Sequence, residues 1–277
     1  MRVRGPDARA FLQGQLSNDI ERLSQDTLLR ASLNTPQGRA LALMGLVASD
    51  SDVLAVMPRE LIANISTLLK RYVLRSKVTL ADDSAAFRIV GLQATDATAP
   101  GMQMGQLCRY GIGADQRMLL LQSSAGEAAD VIYDMPRERW RALDIAAGLP
   151  YLSVASSGEF VAQMLNLDCV DAISFNKGCY TGQEVIARAH YRGRVKRRMQ
   201  RFVTHAPAAL RPNTSGHLKD GRAFRIVDAV LQEDGSCEFL AVAPLTNTEA
   251  EVGPADPGTG AERLDAQNLP LPYSLPQ

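Results

Sequence analysis

Apolar positions recur along this chain with two different periods, and the switches between them lay out its elements. Gly5-Pro6-Asp7 leads into Ala8, Phe11 and Leu12 on one side, which predicts a short helix weakened by Gly14. Two apolar runs, 28–33 and 40–47, flank Asn34-Thr35-Pro36-Gln37-Gly38-Arg39. Pro and Gly inside so short a polar segment predict a hairpin loop. A strand over 53–57 meets Pro58, a residue suited to a helix start, and Leu61, Ile62, Ile65, Leu68, Leu69 and Tyr72 follow at helical spacing. Residues 77–80, 87–92 and 118–122 read as strands, and 94–106, low in apolar periodicity, as a surface segment. Asp134 and Pro136 then begin a helix with Trp140, Leu143 and Ala147 facing inward, ended by Gly148-Leu149-Pro150. Past Arg201 the pattern turns to strands over 202–204, 223–231 and 238–243, with a Pro- and Gly-rich irregular tail from Glu251. Helices and strands mix without a steady βαβ alternation, so the expected class is α+β with an all-β C-terminal domain.

Charge and composition narrow the partners. The 277 residues can build one large domain or two to three smaller cores. Thirty basic residues balance thirty acidic ones, so any electrostatic partner must be drawn by a local patch. No apolar run approaches the roughly 20 residues that span a bilayer, and Met1-Arg2-Val3-Arg4-Gly5-Pro6 lacks the apolar core of a signal peptide. A cytoplasmic protein without a membrane partner is expected. Cys108, Cys169, Cys179 and Cys237 stand far apart without a C-x-x-C pair, and His190, His205 and His217 are scattered. A metal or cluster held by this chain alone is therefore not expected.

One stretch is dense in chemistry: Ile173-Ser174-Phe175-Asn176-Lys177-Gly178-Cys179-Tyr180-Thr181-Gly182-Gln183-Glu184. Thr181 and Glu184 have capping-box spacing, which predicts a helix start at that point. Cys179 would then lie just before the positive end of a helix with Lys177 nearby, and both would favour the thiolate. Gly178 and Gly182 would let the backbone bend tightly. Cys179 is thus either a functional thiol or a small apolar residue packed in a strand–helix turn. Downstream, Arg188, His190, Arg192, Arg194, Lys196, Arg197, Arg198 and Arg201 follow with no acid from Val185 to Arg201. This run reads as a solvated basic face or as a patch for RNA phosphates or a polyglutamylated cofactor, with Tyr191 and Phe202 as stacking surfaces.

Lys177-Gly178-Cys179-Tyr180-Thr181-Gly182-Gln183-Glu184 resembles the K-G-C-[FY]-x-G-Q-E signature of the YgfZ family, which is related to the glycine-cleavage T-protein aminomethyltransferase. Residues 11–19, 71–78 and 163–167 resemble further family segments, and the similarity runs over roughly 3–201. Family members have an apolar strand ahead of the Gly5-Pro6-Asp7 position, close to which this chain begins. The resemblance implies a T-protein-like multi-domain ring with a folate-type central channel and a C-terminal barrel-like β domain. Residues 1–48 and 140–198 would form a discontinuous first domain, 49–139 a ferredoxin-like insert, and 199–277 the β domain with its irregular tail. The implied function is a folate-binding accessory protein that supports assembly or repair of iron–sulfur enzymes, including tRNA-modifying ones. Its cofactor would be tetrahydrofolate or a derivative, and its partners iron–sulfur clients or assembly proteins. Cys179 and Lys177 carry over as the functional thiol and its activator. Asn18, Asp19, Asn34, Arg39, Gln163, Tyr180, Gln183, Glu184 and Arg188 carry over as cofactor-side residues. In Asp144-Ile145-Ala146-Ala147-Gly148, Ala146 stands where relatives often have a Glu that contributes to the pterin pocket. Alternative readings are a folate-dependent aminomethyl or one-carbon transferase and an RNA-binding module built on the basic run.

Overall fold

The fold was obtained as a computed structural model, and residues 1–93, 105–124, 135–193, 195–206, 210–245 and 263–276 are described. It mixes helices and sheets, mostly strands, in three antiparallel sheets. The first has the order β2-β3-β4-β1-β5, from β1 (Arg2–Arg4), β2 (Leu29–Asn34), β3 (Ala40–Ser49), β4 (Asp52–Val56) and β5 (Thr79–Ala81). A strand does precede Gly5: Arg2 and Val3 pair with β4 on one side and β5 on the other. The apolar runs around the 34–39 loop form the β2–β3 hairpin as the pattern predicts. Every residue of β2 is buried, Arg30 included.

Helix α1 (Ala8–Gln15) buries Ala8, Phe11 and Leu12, the side named by the pattern. Helix α2 (Arg59–Lys70) buries Leu61, Ile62, Ile65 and Leu69, with Pro58 in the capping position. Each large apolar side chain buried this way contributes roughly 1.5–3 kcal/mol. Tyr72 lies beyond the helix end and is exposed. A second sheet of order β6-β8-β7 contains β6 (Phe87–Leu92), β7 (Gly105–Arg109) and β8 (Met118–Ser123). The last two residues of the expected surface segment 94–106 therefore open a strand, because β7 takes its register from β8 through Gly105↔Gln122 to Arg109↔Met118. The rest of that segment, 94–104, lies outside the described residues.

Helix α3 (Arg137–Ala146) follows Pro136, while Asp134 lies outside the described residues. Its buried residues are Asp144 and Ile145, whereas Trp140 and Leu143 are half-buried, Trp140 against the cluster of Leu28, Val47 and Leu119 and Leu143 at a cavity wall. Gly148 ends it at φ +66°, with Tyr273 Oη 2.5 Å from where a Cβ would stand. The C-terminal sheet has the order β10-β11-β12-β9-β13, from β9 (Arg197–Thr204), β10 (Ser215–His217), β11 (Ala223–Leu231), β12 (Cys237–Pro244) and β13 (Gln267–Leu269). Its core stacks Phe202 on Phe239 with ring centroids 5.3 Å apart. Two expectations change here. Among the described residues this sheet is an open array with β10 and β13 at its edges, so no barrel closes. The tail is not irregular throughout either: β13 pairs with β9, and the Tyr273 hydroxyl donates to Gly148 O at 2.8 Å. Both contacts join residues far apart in sequence, so no local period announces them.

Among the described residues, no helix is long and apolar enough to cross a membrane, and no group of three His, Cys, Asp or Glu side chains could hold a metal.

Candidate functional site

The Cys179 loop is held from two directions. Helix α4 (Gln183–Tyr191) begins after Gly182, whose backbone sits at φ +84°. A Cβ there would stand 2.5 Å from Thr35 O, so only glycine lets this loop lie against the β2–β3 hairpin. Gly38 meets Val185 in the same contact, with a Cβ 3.2 Å away. The capping box does not form: no side chain caps α4, and Glu184 instead reaches forward to Arg188 at 3.2 Å. Gly182 takes the capping position because hairpin packing demands its left-handed backbone, and that shifts Thr181 out of reach of the role.

The second hold is Lys177. Its ammonium donates to Gln13 O at 2.5 Å and Leu16 O at 2.6 Å, satisfying carbonyls at the end of α1. It also lies over the Tyr180 ring, 4.9 Å from the centroid. Burial pushes the Lys177 amine down to about 8, against the pull of Asp19, and pushes the Tyr180 phenol up to about 12. Among the described residues no hydrogen bond joins Lys177 to Cys179. The contacts that this ammonium makes are those that anchor the loop. Cys179 itself is exposed, whereas Cys108 and Cys237 are buried and Cys169 is half-buried.

The other sequence-selected residues fall into two groups around this loop. Asn18 is buried and fully used: its amide donates to Arg30 O and Asp171 O, both at 2.7 Å, and its oxygen accepts from Asp19 N. The Asp19 carboxylate accepts from Gln13 Nε2 at 2.8 Å and caps the turn of residues 20–22. Around the hairpin, Asn34 bonds Ser32, exposed Arg39 donates to Glu159 O at 2.6 Å, and buried Gln163 donates to Ile186 O. Gln163 Oε1 is buried without a hydrogen-bond partner among the described residues. Gln183 is half-buried at the start of α4, and Glu184 and Arg188 pair on its exposed face.

The basic run does not form one surface. Arg198 is buried and makes a bidentate pair with Asp168, 2.9 Å on both arms, and Arg201 pairs with Glu238 at 2.9 Å. The acids that neutralise them lie at 168 and 238, beyond the window that looked free of acid. Arg194 lies outside the described residues. Phe202 is buried in the C-terminal core, so it offers no stacking surface. Tyr191 is 66% exposed beside His190, which stacks on Phe175 at 3.7 Å.

Sequence reasoning missed a pair of adjoining hollows. Two cavities of about 350 and 430 Å³ share Ile112, Gly113 and Cys169 as a common wall. Thr27, Arg30, Arg109 and Asp171 line the smaller, and Asp115, Arg117, Leu143, Ala146, Ala147 and Tyr273 help line the larger. Behind them, Asp144 Oδ1 accepts from Arg117 at 2.8 Å and from the Tyr110 hydroxyl at 3.0 Å, while Arg117 also clasps Asp115. Burial holds the Asp144 carboxyl above the usual range against the opposing pull of Arg117, and pushes Cys169 up to about 11. One signal was visible beforehand: Arg30 interrupts the apolar run 28–33, and a charge within a buried strand asks for a reason.

No family model matches the chain. Curated relatives do: the tRNA-modifying protein YgfZ of Klebsiella pneumoniae strain 342 is 31% identical over 300 residues, covering 99% of this chain and 90% of the relative. The YgfZ protein of Shigella dysenteriae serotype 1 is 31% identical over 304 residues with the same coverage. Among solved structures, the glycine cleavage system aminomethyltransferase T of Bartonella henselae superimposes with a TM-score of 0.61 at 14% identity, over 88% of this chain and 75% of that one. That likeness establishes a T-protein-like fold. With the K-G-C-Y-T-G-Q-E segment in place and identity spread over almost its full length, the chain belongs to the YgfZ family.

Proposed function

We propose that this protein is a folate-binding accessory factor in tRNA modification, acting through Cys179 on iron–sulfur client enzymes or the proteins that assemble them. The observation that carries the reading is the Cys179 loop, anchored by Lys177 and Gly182 yet presenting its thiol to solvent. Such a thiol is reachable by a partner protein, whereas the other three cysteines are wholly or partly covered. The YgfZ relatives, named as tRNA-modifying proteins, support the setting.

Folate fits the larger cavity by size and lining. Pockets for small ligands run from roughly 300 to 1,000 Å³ and are mostly apolar with a few fixed polar groups. Leu143, Ala146, Ala147 and Tyr273 would form the apolar wall against a pterin, with Asp115 and Arg117 as the polar groups. A reduced folate would supply one-carbon chemistry when bound. Ala146 lies on this wall without a carboxylate, which favours an accessory role over a transferase. The transferase reading keeps one support, the T-protein-like fold. Formation of methylene-tetrahydrofolate from an aminomethylated carrier would revive it.

Two measurements test the proposal. Titration with tetrahydrofolate and its 5-formyl form should give saturable binding in the micromolar range, and Trp140 fluorescence can read it because Arg117, on the wall of the larger cavity, lies 4.7 Å from the Trp140 ring centroid. A Cys179→Ser protein should fail to restore iron–sulfur enzyme activity in a strain lacking the native gene. Full rescue by that variant would remove the thiol from the function.

A further inference from the structure

We propose that the smaller cavity, between the β2 strand and the 109–113 segment, is a binding site for a small-molecule oxyanion, a carboxylate or phosphate, held by Arg30 and Arg109. Arg30 is 8% exposed and lines the cavity, yet no carboxylate pairs with it among the described residues. A guanidinium has five N–H donors. The one hydrogen bond Arg30's makes goes to the Tyr110 carbonyl, and its plane lies 5.1 Å from that ring's centroid. The two carboxylates that attract Arg30, Asp115 and Asp144, are bonded by Arg117. Asp171 lines the same cavity, but its oxygens take Arg22 at 3.0 and 2.6 Å. Arg109 adds a second cation on the wall, bonded to Gly113 O at 2.9 Å, and Thr27 adds a hydroxyl.

Arg30 and Arg117 together balance Asp115 and Asp144 in charge, yet Arg30 bonds neither carboxylate. A buried guanidinium with donors left unmade is costly, and native structures pair such groups or use them. Here the donors that Arg30 leaves unused stand at a cavity of about 350 Å³, large enough for an anion with its attached group. Planar guanidinium groups grip carboxylate and phosphate oxygens through paired N–H donors, which sets the ligand class. Asn18 positions the arginine, since its amide fixes the Arg30 carbonyl at 2.7 Å. The site is separate from Cys179, and it holds whether or not the adjoining cavity takes a folate.

Titrations with inorganic phosphate and with glutarate, at constant ionic strength and read by Trp140 fluorescence and calorimetry, test the proposal and tell the two anion sources apart. Saturable binding of either by the unaltered protein is expected. Arg30→Gln should raise the Kd about tenfold or more, and Arg109→Gln about threefold. Absence of binding by the unaltered protein, or affinity in both variants equal to that of the unaltered protein, overturns the proposal. Should Arg30→Gln fail to fold, the exposed Arg109→Gln position decides alone. Phosphate or glutarate binding by a protein that ignores 5-formyl-tetrahydrofolate keeps this site and removes the folate reading, and the reverse pattern removes this site and keeps folate.

Discussion

Replacing Arg198 with alanine should unfold this protein far more readily than any loss of surface charge would. The side chains of Arg198 and Asp168 are 4% and 8% exposed, and their bidentate pair ties β9 to the segment that carries Cys169. The guanidinium also donates to Gln163 O at 3.1 Å and to Asn166 Oδ1 at 3.4 Å. Alanine removes all of these and leaves the Asp168 carboxylate buried without its cation. Breaking one side of a buried pair costs about 3–5 kcal/mol. At about 2–4 °C per kcal/mol for a chain approaching this size, Tm should fall by roughly 6–20 °C. Arg192→Ala, at an exposed position of the same basic run, should stay within about 0.5 kcal/mol of the parent. Thermal and urea unfolding of both variants checks the contrast. If Arg198→Ala melted within about 2 °C of the parent and instead weakened RNA binding, the structural assignment of this arginine would be refuted and the basic run restored as a nucleic-acid surface.

Three further outcomes are expected. Asp228, buried at a bulge of β11 and paired with Arg141 of α3, has its carboxyl raised to about 6 by burial. The folded state therefore holds that proton more tightly than the unfolded chain, and this group's contribution is greatest below about pH 4 and lost as pH rises through 6, a change of about 3 kcal/mol. Asp228→Asn should flatten that slope in urea unfolding measured between pH 4 and 8, and an unchanged slope would contradict it. Gly182→Ala should destabilise by about 1–3 kcal/mol, because the residue sits at φ +84° and its Cβ would press on Thr35 O. Urea unfolding reads the loss, and a neutral effect would mean that the loop does not rest on the hairpin. Ellman's reagent on the native protein should titrate one thiol quickly, Cys179, and Cys169 slowly, since burial pushes Cys169 up to about 11. A rapid equivalent that survives Cys179→Ser would overturn this assignment.

Local patterns were readable wherever an element buries one continuous face. The stripe of α2, the β2–β3 hairpin and the strand 223–231 follow from side-chain period and turn residues alone. Short strands without a period of their own were not readable: β7, β10 and β13 exist because a neighbour supplies their hydrogen bonds. Around the motif, local spacing misread how the helix starts. Capping-box spacing is a local signal, and it lost to the hairpin contact that requires Gly182. Lys177, two residues from Cys179, bonds carbonyls more than 160 positions away, which no spacing rule reveals.

By itself, then, the sequence determined the family, through eight adjacent residues, and the elements whose apolar faces are periodic. Tertiary structure decided which charges are structural and which face a cavity. Arg198 and Arg192 look alike along the chain, yet one meets Asp168 in the interior and the other meets water. Arg30, Arg109, Arg117 and Cys169 converge from distant segments on two cavities that share a wall. The reason is physical: hydrophobic period is written between near neighbours, whereas the partner of a buried charge is chosen by packing in three dimensions.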